Sequence, residues 1–316
     1  MQKPTHEYFI DFLEYIEVEK GLALNTVKNY GRFLKCFIEW LKMNNLASIT
    51  PREITSEHVQ KYRLWLARRP NATSKLSHTL LNSTQSRYLI ALRMFFAFFH
   101  ERNIQSLPTE KIKLPKERRE RLIKFLDGVQ VDKLCAMPDH STISGIRDRA
   151  ILESLFSTGL RVAELVALDR NQFEGAMSSP DFELSIIGKG GYPRTVYFSE
   201  RAFFWVKKYL SSRTDDENPL FIRFKGPRSD SKRLTTHAIE DIVQKYAKKA
   251  GLPFLATPHT FRHSFATDLL TQGVDLRTVQ EFLGHRNIAT TQVYTHITSK
   301  RLRDIHRKFH HGRMKV

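Results

Sequence analysis

Cysteine is nearly absent from this chain, with two in 316 residues. Cys36 and Cys135 lie far apart in apolar helical contexts, with no C-x-x-C pair, which excludes a disulfide framework or a cysteine zinc site. Both are expected as core thiols. No apolar run approaches the ~18 residues needed to cross a bilayer, and no secretory leader or lipidation motif is recognisable, so a cytoplasmic protein with no membrane partner is expected. Metal-ligand patterns are also lacking. His259 and His263 are spaced i,i+4, but Thr260 stands where an H-E-x-x-H site carries its Glu, and Arg262 would repel a cation, so no metal is expected.

The remaining deficit is acidic charge: 33 Asp+Glu stand against 51 Lys+Arg, giving a formal net charge of +18 and a pI near 9.9. Such a surplus favours a polyanionic partner, nucleic acid above all. Hydrophobic residues make up 41% of the chain, and its length suits two globular domains with separate cores.

From Glu7 to about Asn103 the pattern is helical throughout. Tyr8, Phe9, Phe12, Leu13 and Ile16 form one stripe ended by Gly21. A second helix starts near Asn25, a third near Ser56 and a fourth carries Tyr88 to Phe99. Asn71 to Ser86, polar and rich in Ser and Thr, reads as a loop. Residues 1–105 thus make a helical domain. Residues 106–121, with two prolines and dense charge (KIKLPKERRER), read as a basic linker, and 122–316 as a second domain.

In that second domain Arg147 to Ser157 is helical, Gly159 breaks the helix, and Arg161 opens the next one with Glu164 at i+3, an ordinary helix ion pair by itself. Glu183–Ile187 and Thr195–Phe198 flank Gly188-Lys189-Gly190-Gly191, a β-hairpin signal that puts Lys189 on the tip. Arg201–Leu210 and Thr236–Ala250 read as further helices. The fold expected is therefore mainly α with a small antiparallel sheet.

The second domain is organised around TPHTFRHSFATDLLTQGVDLRTVQEFLGHRNIATTQVYTHI, from Thr257 to Ile297. Pro258 suits a first helical turn, and Phe261, Phe265 and Leu269 recur at i, i+4, i+8 as an amphipathic stripe with His259 and Arg262 on its flank. Gly273 reads as a stop, Asp275 as an N-cap, and Val279, Phe282 and Leu283 as the next stripe, before Gly284, His285 and a short helix bearing Tyr294. Two histidines, an arginine and a phenol can converge on such a floor. Arg presents a planar fork to phosphate oxygens, His shares protons near neutrality, and a phenol of pKa about 10 becomes a nucleophile when a base or local positive charge favours its ionised form.

This combination resembles the signature of the tyrosine recombinase (phage integrase) family: H-x-x-R, then L-G-H, then a Tyr nine residues on. RDRAILESLFSTGLRVAELVALDRNQF is similar to the family's first catalytic box. ALNTVKNYGRFLKCF and NSTQSRYLIALRMFFAFF are similar to its N-terminal core-binding domain, a SAM-like helical bundle. The resemblance covers nearly the whole chain. It implies that Arg161 and Arg262 clamp a phosphate, Glu164 orients Arg161, His259 and His285 serve proton transfer and phosphate binding, and Lys189 is the general acid. It further implies that Tyr294 forms a 3′-phosphotyrosyl bond with duplex DNA, with neither metal nor ATP. Tyr192 stands where a second Lys is common in the family, beside Pro193, so the hairpin tip departs from the usual pattern.

The same resemblance implies a C-shaped clamp on DNA; Lys28, Lys35, Lys75, Arg87 and Arg93 are its candidate phosphate contacts, with a solvated basic face as the alternative for each. It implies too a homo- or hetero-tetramer on DNA, through a Holliday junction, with a C-terminal tail docking in trans. The tail from Lys300 carries seven Lys/Arg against one Asp. A two-domain, Xer-like site-specific recombinase is the reading that accounts for most residues. A mobile-element integrase or invertase shares the residues, although no added arm-binding domain is visible. A type IB topoisomerase has similar chemistry but fits the core-binding domain less well. A DNA-binding module without catalysis would not need Tyr294.

Overall fold

The computed structural model describes residues 3–70, 79–116, 124–176, 182–188, 191–226 and 231–284. The chain forms two compact units, Met1–Glu120 and Arg121–Val316.

The first unit is helical among the described residues: α1 (Phe9–Glu14), α2 (Leu24–Met43), α3 (Ser56–Arg68) and α4 (Asn82–Glu101). Its core is dense in aromatics, with Phe12, Phe37, Tyr62, Phe95, Phe96 and Phe99 fully buried. Phe12 meets Phe95 edge-on at 5.2 Å, an arrangement that the ring quadrupole favours. Gly21 turns the chain after α1 with φ +58, in the left-handed region that most residues avoid. The Asn71–Ser86 stretch corrects one expectation. Asn82–Ser86 is the first turn of α4, and Gln85 is buried there with its amide donating to the Leu80 carbonyl at 2.8 Å. Residues 71–78, Lys75 included, lie outside the described residues. Within 106–121, Thr109–Lys111 make a 3-10 turn and Ile112 is fully buried in the first core.

The second unit contains α5 (Gly128–Cys135), α6 (Ile143–Thr158), α7 (Val162–Ala167), β1 (Phe182–Ile187), β2 (Pro193–Phe198), α8 (Glu200–Ser211), α9 (Thr236–Lys249), α10 (Pro258–Gln272) and α11 (Leu276–Leu283). β1 and β2 pair antiparallel, Phe182 opposite Phe198 and Ile187 opposite Pro193. α6 is the central element, buried around most of its circumference, so its charged residues are held in ion pairs. Arg147 binds Asp148, which also accepts the Tyr246 hydroxyl at 2.9 Å, and Glu153 forms an ion pair with Arg149 and accepts from Arg201 Nε. Cys36 and Cys135 are both buried free thiols.

α10 does not carry the one-sided stripe expected from Phe261, Phe265 and Leu269. Phe261 enters the main core, whereas Ala266 and Leu270 join Val279 and Leu283 of α11 in a smaller one, with Phe265 and Leu269 packed against it. Thr260, Ser264 and Thr267 are buried as well. α10 packs against α6, α9 and α11, so no side of it is uniformly wet. Ser264 is satisfied by accepting from the Leu126 N–H at 2.7 Å and donating to the Thr260 carbonyl at 2.9 Å.

Candidate active site

The site is assembled where three helices end or begin. α6 stops at Gly159, whose φ of +59 and ψ of 22 terminate the helix, and a Cβ there would lie 2.6 Å from Phe265 Cδ1. Two residues later Arg161 is the N-cap of α7. The Arg161 N–H donates to Glu164 Oε2 and its Nη1 to Oε1, both at 2.8 Å. Arg161 keeps its guanidinium partly open, 30% exposed, whereas the Glu164 side chain is 8% exposed. Arg161 Nη2 lies 3.5 Å from the carbonyl of Gly284, the left-handed cap of α11.

Arg262 approaches the same place from α10 and is 2% exposed. Its Nη1 donates to the Gly159 carbonyl at 2.6 Å and its Nη2 to the Leu283 carbonyl. These bonds fix the plane of the guanidinium. His259, one turn earlier, is exposed, with its ring centroid 4.4 Å from that of His263 and nearly perpendicular to it. Partial desolvation, then the positive charges of Arg262 and Arg161, push its pKa below the ordinary histidine value. His259 is therefore a neutral imidazole at pH 7, able to accept a proton. Arg262 donates to the Gly159 carbonyl, two residues before Arg161, and His259 lies one turn from Arg262 on α10, so the three belong to one region.

A residue the sequence analysis did not single out completes this cluster. Arg194 of β2 donates from Nη1 to Glu164 Oε1 and from Nη2 to Glu164 Oε2, both at 2.9 Å. Burial raises the Glu164 pKa, but Arg194, the Arg161 N–H and the Arg161 guanidinium outweigh it and hold the carboxyl at about 2. The signal was available: strand alternation places Arg194 on the face of Val196 and Phe198, both buried, and an inward cation requires an anion.

Lys189, His285 and Tyr294 lie outside the described residues, although Gly188 and Gly284, which precede Lys189 and His285, border the cluster. Tyr246, another phenol of the second unit, is buried, and its hydroxyl donates to Asp148. Burial, then Asp148, raises its pKa, so both its surroundings and its hydrogen bond disfavour the phenolate. In the first unit Lys28, Lys35 and Arg87 are exposed. Arg93 is half-buried and its Nε donates to the Ile112 carbonyl at 2.7 Å, a bond inside the unit. Among the described residues no group of three His, Cys, Asp or Glu is placed to hold a metal ion, and no helix is long and apolar enough to cross a membrane.

Comparison with known proteins decides the family. The pattern of the phage integrase family matches residues 124–301, and that of the phage integrase N-terminal SAM-like domain matches residues 9–103. The chain belongs to the phage integrase family of tyrosine recombinases. It is an enzyme of DNA strand breakage and rejoining. Tyrosine recombinase XerD of Lacticaseibacillus casei is 35% identical over 311 residues, 96% of this chain and 99% of its own. Tyrosine recombinase XerC of Leptospira interrogans serovar Lai is 34% identical over 304 residues, 95% and 91%. The crystal structure of XerH site-specific recombinase bound to palindromic difH substrate, a post-cleavage complex, matches with a TM-score of 0.72 at 21% identity over 96% of each chain. The Tn1549 transposon integrase in complex with transposon right end DNA matches at 0.69 and 18% identity, over 97% and 99%. At such identities the two structures establish a shared fold.

Proposed function

We propose that this tyrosine recombinase is a site-specific enzyme that cuts duplex DNA by attack of Tyr294 and exchanges strands through a Holliday junction. The observation that carries this is the convergence of Arg161 and Arg262 on the carbonyls of Leu283 and Gly284, with His259 one helical turn from Arg262 on α10. In the step proposed, Tyr294 Oη bonds to the scissile phosphorus as the bond to the 5′-oxygen breaks. His259 takes the phenol proton, and Lys189 gives one to the departing 5′-oxygen, a role suited to a hairpin tip. Arg161 and Arg262 stabilise charge on the non-bridging oxygens in the transition state, and His285 hydrogen-bonds the phosphate. The phosphotyrosyl bond conserves the energy of the broken linkage, so rejoining needs no nucleotide.

A homo- or hetero-tetramer on DNA, with the basic tail docking in trans, is the assembly we assign to strand exchange. Near full-length similarity to XerD and XerC relatives favours resolution of chromosome or plasmid dimers over mobile-element integration.

The test is a nicked suicide substrate. Denaturing electrophoresis and peptide mapping should place a covalent DNA adduct on Tyr294, formed in excess EDTA and without ATP. Tyr294→Phe should bind DNA and form no adduct. An adduct that persists in Tyr294→Phe, or one abolished by EDTA, refutes the assignment.

A further inference from the structure

Arg194 belongs to none of the sequence motifs, yet it contacts the surroundings of three proposed catalytic residues. Each Glu164 oxygen accepts one bond from Arg161 and one from Arg194, so the carboxylate takes four donors and cannot swing. The same guanidinium lies between two glycines. A Cβ on Gly188 would stand 3.2 Å from Arg194 Nη1, and a Cβ on Gly284, where φ is +62, would stand 2.8 Å from Arg194 Cδ. Gly188 precedes Lys189 and Gly284 precedes His285.

Charge supplies the second part of the case. With Arg161 alone, Glu164 would neutralise the cation that must face a phosphate. With Arg194 present, two guanidiniums share one carboxylate and the trio keeps a net positive charge, expressed at Arg161 because Arg194 is the more buried (10% against 30% exposed). A forked cation is needed, since an ammonium cannot engage both carboxylate oxygens in one plane.

We infer that Arg194 is a positioning residue for strand cleavage: it locks Glu164, and through it the phosphate-facing guanidinium of Arg161, while supporting the backbone beside Lys189 and His285. The inference rests on the cleavage mechanism proposed above.

The full chain on the suicide substrate provides the test. Arg194→Met keeps the aliphatic stem and deletes the fork. Its single-turnover adduct formation should slow by ~10²-fold, the cost of misplacing a catalytic group, while duplex affinity stays within about twofold. A role confined to folding would leave the pH profile alone, whereas this one moves it. Among the described residues the charged groups facing Glu164 are Arg161, at the cap of its own helix, and Arg194, from β2. Losing Arg194 lets burial lift the carboxyl, so the acid limb of the cleavage profile moves to higher pH, and adding Glu164→Gln removes that limb. Arg194→Lys retains a charge and serves if the Met variant fails to fold; it should cleave ~10-fold more slowly than wild type. A folded Arg194→Met or Arg194→Lys chain with wild-type rate and pH profile overturns the inference, as does slowing wholly explained by lost affinity. The wild-type lane separates the two claims: no adduct on Tyr294 there overturns the cleavage mechanism and the positioning role together.

Discussion

Arg262 ties the C-terminal end of α6 to that of α11 by donating to the carbonyls of Gly159 and Leu283. Helix C-termini carry partial negative charge and unsatisfied carbonyls, so one guanidinium between two of them is favoured both by the dipoles and by hydrogen bonding. The same contacts aim the side chain proposed to clamp phosphate.

Arg262→Ala should therefore lose stability and activity together. Each buried carbonyl left unpaired costs about 1–3 kcal/mol, and the missing cation costs ~10² or more in cleavage rate. Arg262→Lys should recover part of the melting temperature but little of the rate, because one ammonium cannot serve both carbonyls in the plane of the fork. Thermal denaturation and single-turnover cleavage on the same samples check this; a Lys variant with wild-type rate would show that charge alone suffices.

Gly159→Ala should destabilise through two separable effects. A left-handed L-residue costs about 1–2 kcal/mol, and the new Cβ would lie 2.6 Å from Phe265 Cδ1. Urea denaturation should show a loss of at least ~2 kcal/mol. Adding Phe265→Leu should relieve the steric part and leave the backbone part. Full recovery in the double variant would mean that the backbone conformation is unstrained.

His263 makes stability pH-dependent. Burial, then His259 and Arg262, push its pKa down to about 4, against ~6.5 in the unfolded chain. Between those values the unfolded chain takes up a proton that the folded chain refuses. Stability is then fully present above about pH 6.5 and is lost as pH falls towards 4. His259, shifted the same way, adds to the trend. Denaturant midpoints at pH 7.5 and pH 5 should differ more for wild type than for His263→Gln; equal differences would assign the acid sensitivity elsewhere.

Much of this architecture is legible in the residues because local chemistry and global fold agree. Gly159, Gly273 and Gly284 each end a helix in the left-handed region, and Asp275 accepts the Arg277 and Thr278 N–H groups at the start of α11. The hairpin follows from alternation about a glycine-rich tip. His259, Arg262, Arg161 and Glu164 fall together because their motif spacings are tied to those helix ends.

Other features depend on tertiary partners that periodicity does not encode. Arg262, expected on the flank of the apolar stripe, is among the most buried residues of α10, since its charge is matched by carbonyls distant in sequence. Phe261, Phe265 and Leu269 suggest one apolar face, but two cores divide them. Asn82–Ser86 looks like loop because its polar residues occupy a first helical turn, where turn formers and helix starters are the same residue types. Arg194 was hidden for a related reason: a charged residue in a hairpin usually faces water, and only its register with Val196 and Phe198 marks it as inward.

The first unit allows its basic residues to be sorted by experiment. Lys28 and Lys35 are exposed, two turns apart on α2, whereas Arg93 uses its Nε on the Ile112 carbonyl. Each phosphate neutralised by a lysine releases counterions and steepens the fall of log affinity with log salt by about 0.9. With a formal charge of +18, wild-type binding to duplex DNA should weaken steeply between roughly 50 and 200 mM salt. Lys28→Ala with Lys35→Ala should flatten that slope by about 2 if both side chains contact phosphate. Arg93→Ala should leave the slope unchanged and instead lower the melting temperature, because it frees a carbonyl packed against the core. Filter binding across a salt series, with thermal melts alongside, separates the outcomes: an Arg93 variant with a flatter slope and unchanged melting point would reassign that residue to the DNA surface.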